Sequence, residues 1–176
     1  MLYLNKIITG IQNYVQIDRS LCKGFDDATI RTIEKDFMGG SVLPKALKEF
    51  LTFGGVFFSD KLEQPVCCMK FSYYKDFYNN KYIGSNFLRE RILKNLGLTN
   101  DEYAVVYYYG EGDFVAIVRL IDGEDPPVYF SIYDFSNEHT PTFEIIAPSF
   151  TDWFIDRVVE DQKLQIKNNS FNKNKQ

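Results

Sequence analysis

Apolar residues recur at helical spacing in the first half of this chain and alternate with a period of two in the second. Asp26-Asp27, either of which can cap a helix, precedes Ile30, Ile33 and Phe37 at intervals of three and four, and Gly39-Gly40 ends that run. Residues 43–53, LPKALKEFLTF, predict a second amphipathic helix, with Pro44 in the first turn, where its missing N–H costs nothing. Leu43, Leu47, Phe50 and Leu51 share its apolar face, Lys45, Lys48 and Glu49 are expected in solvent, and Gly54-Gly55 closes it. Short strands are expected from Val56 and around 66–71, within a Tyr-rich stretch from Ser59 to Ser85 that shows no clear period. A third helix over 87–96 places Leu88, Ile92 and Leu96 on one face and stops at Gly97.

From Tyr103 the pattern changes. The runs 103–109 (YAVVYYY), 114–121 (FVAIVRLI), 128–135 (VYFSIYDF) and 142–147 (TFEIIA) predict four strands separated by turn residues. Connections this short imply an antiparallel meander. A closing helix follows, with Ser149 as N-cap and Asp152 three residues on. Phe150, Phe154 and Val158 recur every four residues, so this helix should lie across the sheet. The expected fold class is α+β: an antiparallel β-meander sheet packed against helices. The chain divides into an N-terminal segment (1–24), the domain proper (25–161) and a polar tail (162–176), whose Asn- and Lys-rich composition predicts disorder.

Composition adds a little. Twelve Tyr and sixteen Phe favour a substantial sheet. Cys22, Cys67 and Cys68 are odd in number and two are adjacent, which argues for reduced thiols rather than a disulfide framework. One histidine, His139, and no CxxC or HxxxH spacing argue against zinc or any other metal, and nothing suggests a cofactor. Asn5, Lys6, Gln12, Asn13 and Gln16 interrupt the apolar residues of the first segment, unlike a secretory signal. No apolar run approaches the ~20 residues of a membrane span. A cytoplasmic protein without membrane contact is expected.

Charge changes the picture more. The formal net charge is −4, but residues 101–161 hold fourteen Asp and Glu against only Arg119 and Arg157. So acidic a half argues against nucleic acid and for a basic protein partner. Consecutive meander turns alternate between sheet ends, which groups Glu111, Asp113 and Glu138 at one end and Asp122, Glu124 and Asp125 at the other. Asp152, Asp156 and Glu160 add an acidic stripe on the closing helix. Like charges at that spacing cost about 0.2–0.5 kcal/mol per pair, and Glu160 and Asp161 oppose the dipole if the helix ends there. Solvation of turns and neutralisation by Lys163 or Lys167 are the plain alternatives to a partner surface.

Other candidates are weaker. His139 has no Ser or Cys nucleophile assignable beside it, so no catalytic residue is named. The Gly110-Glu111-Gly112 turn lacks the Lys and following helix of a phosphate cradle. Trp153 suits a core or rim position better than a ligand-stacking one. The aromatics of 73–82, interleaved with Lys70, Lys75 and Lys81, suit a loop packed on the core better than a base-stacking platform.

LPKALKEFLTFGG at 43–55, PVYF at 127–130 and SFTDWF at 149–154 stand in an order that resembles the SMI1/KNR4 (SUKH superfamily) domain over about residues 25–161. Phe53 stands where members of that family often carry Asn or an acidic residue, so no polar role passes to that corner. The resemblance implies a binding function without catalytic residues. Bacterial members resemble immunity proteins of polymorphic or contact-dependent toxin systems, which bind and block a cognate toxin, often a nuclease. Related fungal domains look like regulators of cell-wall assembly. Two functions therefore stand: an immunity protein gripping a basic toxin through acidic residues, or a regulatory or scaffold module unrelated to toxins. Oligomeric state is left open.

Overall fold

The computed structural model describes residues 1–55, 90, 92–99, 101–109, 114–132 and 143–173. Its centre is an antiparallel sheet in the order β1-β2-β3-β4, formed by Tyr103–Tyr109, Phe114–Arg119, Val128–Ile132 and Glu144–Ala147. This is the expected α+β meander. The short strands expected from Val56 and around 66–71, and the Tyr-rich stretch, lie outside the described residues.

Alternation sends side chains to two cores. Ala104, Ala116, Val118 and Val128 join one, while Tyr103, Val105, Val115 and Ile117 join the other. The second core is covered by a helical turn at residues 92–96 (α4), which supplies Ile92, and by Leu98. Gly97 ends that turn, its N–H donating to the Leu93 carbonyl at 2.8 Å.

The first and larger core lies beneath four helical elements: α1 (Leu2–Ile11), α2 (Asp27–Thr32), α3 (Lys45–Gly54) and the closing helix α5 (Phe150–Lys173). Asp26 caps α2, its carboxylate accepting from Thr29 N at 2.7 Å. That contact holds the Asp26 carboxyl below its ordinary pKa. A π-helical turn, Ile33–Phe37, continues α2. Its wider winding turns the expected stripe. Ile30 and Ile33 are buried as expected, but Met38 rather than Phe37 is the fully buried residue at the end. Gly39 and Gly40, with φ of 57° and 92°, then reverse the chain where a side chain would be strained.

Leu43, just before α3, and Leu47, Phe50 and Leu51 within it are buried as the spacing required. Of the three residues expected in solvent, Lys45 stays exposed, while Lys48 and Glu49 are drawn into the fold. Lys48 Nζ pairs with Glu34 at 3.0 Å. Glu49, its side chain only 12% exposed, accepts from the N–H groups of Leu2, Tyr3 and Leu4 at 3.1, 2.8 and 3.1 Å and so caps α1. Burial pushes the Glu49 carboxyl up, but those three N–H groups and the terminal ammonium outweigh it, and the group ends below its ordinary value.

The N-terminal segment is thus part of the fold. Leu4, Ile7 and Ile11 of α1 are buried at spacings of three and four, and α1 packs on α3 and α5. At the other end, the backbone stays helical through Lys173, where composition had suggested a disordered tail. Once Phe150, Phe154 and Val158 dock, each further helical residue adds a hydrogen bond without a new nucleation cost.

Candidate functional site

Two irregularities in the sheet shape its helix-facing surface. The register of β1 on β2 slips between Val105 and Tyr107, so Val106 is an extra residue and Tyr107 stands opposite Ala116. Without that bulge, Tyr107 would face the second core. With it, Val106 and Tyr107 both pack on the first, beneath α5. A matching slip between Val128 and Tyr129 leaves Ile146 unpaired in β4, beside Ala147. The result is a groove of about 310 Å³ between sheet and α5, lined by Tyr107, Phe130, Ile146, Ala147, Trp153, Asp156, Arg157 and Glu160.

Sequence and packing explain why α5 borders this groove. Ser149 Oγ accepts from Asp152 N at 3.0 Å, which starts the helix. Its anchor is an aromatic cluster: Phe50 lies 4.5 Å from Phe154 and 6.2 Å from Phe150 between ring centroids, with Trp153 beside Phe150 at 5.9 Å. Trp153 is a nearly buried core aromatic at the groove wall. Burying Phe150, Phe154 and Val158 leaves Asp152, Asp156 and Glu160 facing solvent.

The nine carboxylates singled out from sequence separate into three groups. Glu111, Asp113 and Glu138 lie outside the described residues, although the strands flanking their loops end side by side, with Phe114 paired to both Tyr109 and Ile132. Asp122, Glu124 and Asp125 do share the β2–β3 turn, but each has work inside the molecule. Asp122 accepts from Tyr129 Oη at 3.0 Å and pairs with Arg119 at 3.7 Å, its side chain 21% exposed. Glu124 accepts from Tyr3 Oη at 3.0 Å and pairs with Lys45 at 3.4 Å while remaining 61% exposed. Asp125 accepts from Thr151 N at 3.0 Å and so helps cap α5. This turn ties α1, α3 and α5 together.

The third group differs. Side chains of Asp152, Asp156 and Glu160 make no hydrogen bond or ion pair among the described residues, and exposed Lys163 does not neutralise Glu160. Because α5 runs to Lys173, Glu160 also sits mid-helix rather than against the dipole at its end. Of the six described carboxylates singled out from sequence, these three are the ones that combine exposure with unspent charge.

Sequence reasoning missed Tyr107, Phe130, Ile146 and Arg157 as groove residues. The adjacent apolar residues Val105-Val106 and Ile145-Ile146 leave no polar marker for a bulge. His139, the Gly110-Gly112 turn and the aromatics of 73–82 lie outside the described residues. Among those described, no three His, Cys, Asp or Glu are grouped to hold a metal ion, and no helix is long and apolar enough to cross a membrane. Cys22 is half-buried, its thiol donating to the Asp18 carbonyl at 3.5 Å.

A family model described as SMI1 / KNR4 family (SUKH-1) matches residues 24–156. The chain belongs to that family. No significantly similar curated protein and no significantly similar solved structure was found. The SUKH-1 match contains α2, α3, the sheet and the first turns of α5, which supply most of the larger core. It leaves α1 and the later part of α5 outside. Glu160 therefore lies beyond the matched region, while Asp152 and Asp156 lie within it. The SUKH-1 family includes immunity proteins.

Proposed function

We propose that this SUKH-1 protein is a non-enzymatic, cytoplasmic immunity protein that binds and neutralises a cognate toxin domain with a basic surface, such as a nuclease. The observation that carries this reading is the stripe of Asp152, Asp156 and Glu160, exposed on one helix face without internal partners among the described residues. A nuclease holds phosphates on a cationic surface, and a rigid acidic helix face complements it in charge while covering it sterically. No chemistry is required of the inhibitor. Neither a metal, a cofactor, nucleic acid nor a membrane takes part.

Within this reading the turn carboxylates come second. Asp122 and Asp125 serve the fold, and Glu124, exposed but paired, contributes to the wider negative field. Glu111, Asp113 and Glu138 are proposed as auxiliary contacts.

Co-expression tests the reading. Cells making the cognate toxin domain should survive with the wild-type protein and should lose protection with the triple variant D152N/D156N/E160Q. Full protection by a stably folded triple variant would remove the acidic face from the mechanism. Failure of the wild-type protein to protect against that toxin would favour a regulatory or scaffold module instead.

A further inference from the structure

We propose that the groove between the sheet and α5 seats one lysine or arginine side chain of the protein partner. Its aliphatic stem would lie on Phe130, Ile146 and Trp153, and its cationic head between Asp156 and Glu160. This rests on the inhibitor reading above and names the anchor point within it.

Size comes first. A volume of about 310 Å³ is at the bottom of the range for small-molecule sites, which suits one long side chain better than a metabolite. The lining comes second. One wall is apolar and aromatic and the rim is anionic, the division that an amphipathic side chain with a long methylene stem requires. An anion would meet two carboxylates. A purely apolar side chain would leave them desolvated and unpaired.

The charges themselves favour a cation. Asp156 and Glu160 stand one helical turn apart, both exposed and both without an internal ion pair among the described residues. Arg157 also lines the groove, stacked on Tyr107, so the three charges still sum to a negative site. That stacking also shows that this sheet surface accepts a guanidinium plane against an aromatic face. In the groove wall, Ile146 of β4 is 48% exposed. Apolar residues around a charged anchor exclude water and strengthen the pair, as at interface hot spots.

Trp153 is the chain's one tryptophan and lines the groove, so its emission reports the site directly. The full chain is titrated at constant ionic strength with N-acetyl-arginine amide and, separately, with its neutral counterpart N-acetyl-citrulline amide. The arginine compound should give a saturable change in emission, and the citrulline compound none. Binding should weaken roughly fivefold in D156N/E160Q, in line with the loss of two exposed charge contacts, with no change in melting temperature. Equal responses to the two compounds, an arginine response undiminished in the double variant, or no saturable response would overturn the proposal. The probe contains no toxin, so such a result leaves the inhibitor reading to its own co-expression test.

Discussion

The guanidinium of Arg157 stacks on the ring of Tyr107, 4.9 Å from its centroid, while Arg157 Nη2 donates to the Tyr107 hydroxyl at 3.2 Å. This contact joins α5 to the first strand, 50 residues away in the chain. It exists because the bulge at Val106 turns Tyr107 toward the helix. Removing the hydroxyl keeps the ring and isolates the hydrogen bond. Tyr107→Phe should cost about 1 kcal/mol in urea unfolding. No change would mean that the stacked ring alone fixes Arg157.

A second prediction concerns Glu49. It caps α1 from 45 to 47 residues away, which makes one carboxylate responsible for the first three N–H groups of that helix. Glu49→Ala should cost about 1–2 kcal/mol, the range for a lost helix cap. Its folded pKa is depressed, so its contribution is complete above the unfolded value of about 4.3 and is lost as pH falls through the folded value. The stability gap between wild type and Glu49→Ala should therefore be constant near neutrality and shrink on acidification below that point. Urea melts across about pH 2.5–7, an interval reaching about two units below that unfolded value and nearly three above it, measure this. A gap that widens in acid would contradict the assignment.

How much of this was legible in the sequence depends on how local the cause is. The meander was, because alternation and turn residues act within a few positions. So were the buried faces of α3 and α5, set by Leu47, Phe50, Leu51, Phe154 and Val158. In α1, Asn5 and Lys6 interrupt the apolar residues, yet Leu4, Ile7 and Ile11 keep helical spacing across them. The roles of Glu49, Asp125 and Glu124 were not legible, since their partners Tyr3 and Thr151 lie 26 to 121 residues away. Nor was the groove, which depends on two bulges in apolar runs.

Gly24 predicts a sharp intolerance. A Cβ there would stand 1.6 Å from the Thr52 carbonyl oxygen of α3, and the next residue is held to the same helix by Phe25 N donating to Leu51 O at 2.9 Å. Neither backbone can give way easily. Gly24→Ala should destabilise by about 3 kcal/mol, seen as a large fall in melting temperature. Gly40→Ala serves as a control, with open space around its Cβ and only backbone strain to bear. Equal effects at the two positions would argue against the close approach.

The two kinds of carboxylate should behave differently in stability assays. Asp125→Ala removes an acceptor from Thr151 N and should cost about 1 kcal/mol. Asp156→Asn alters only solvent-facing charge and should stay within about 0.5 kcal/mol of wild type. Thermal unfolding of the two variants side by side decides this. A strongly destabilised Asp156→Asn would return the stripe to a structural role.

The central claim is that an exposed acidic helix face, rather than the internally engaged turn, grips a basic toxin domain. Its most direct test is the association rate and affinity of the cognate toxin domain for wild type and for D152N/D156N/E160Q, at low and at moderate salt. Wild-type association should slow as salt rises, and the triple variant should bind at least about tenfold more weakly with little remaining salt dependence. Tight binding that neither salt nor the triple substitution alters would contradict the account.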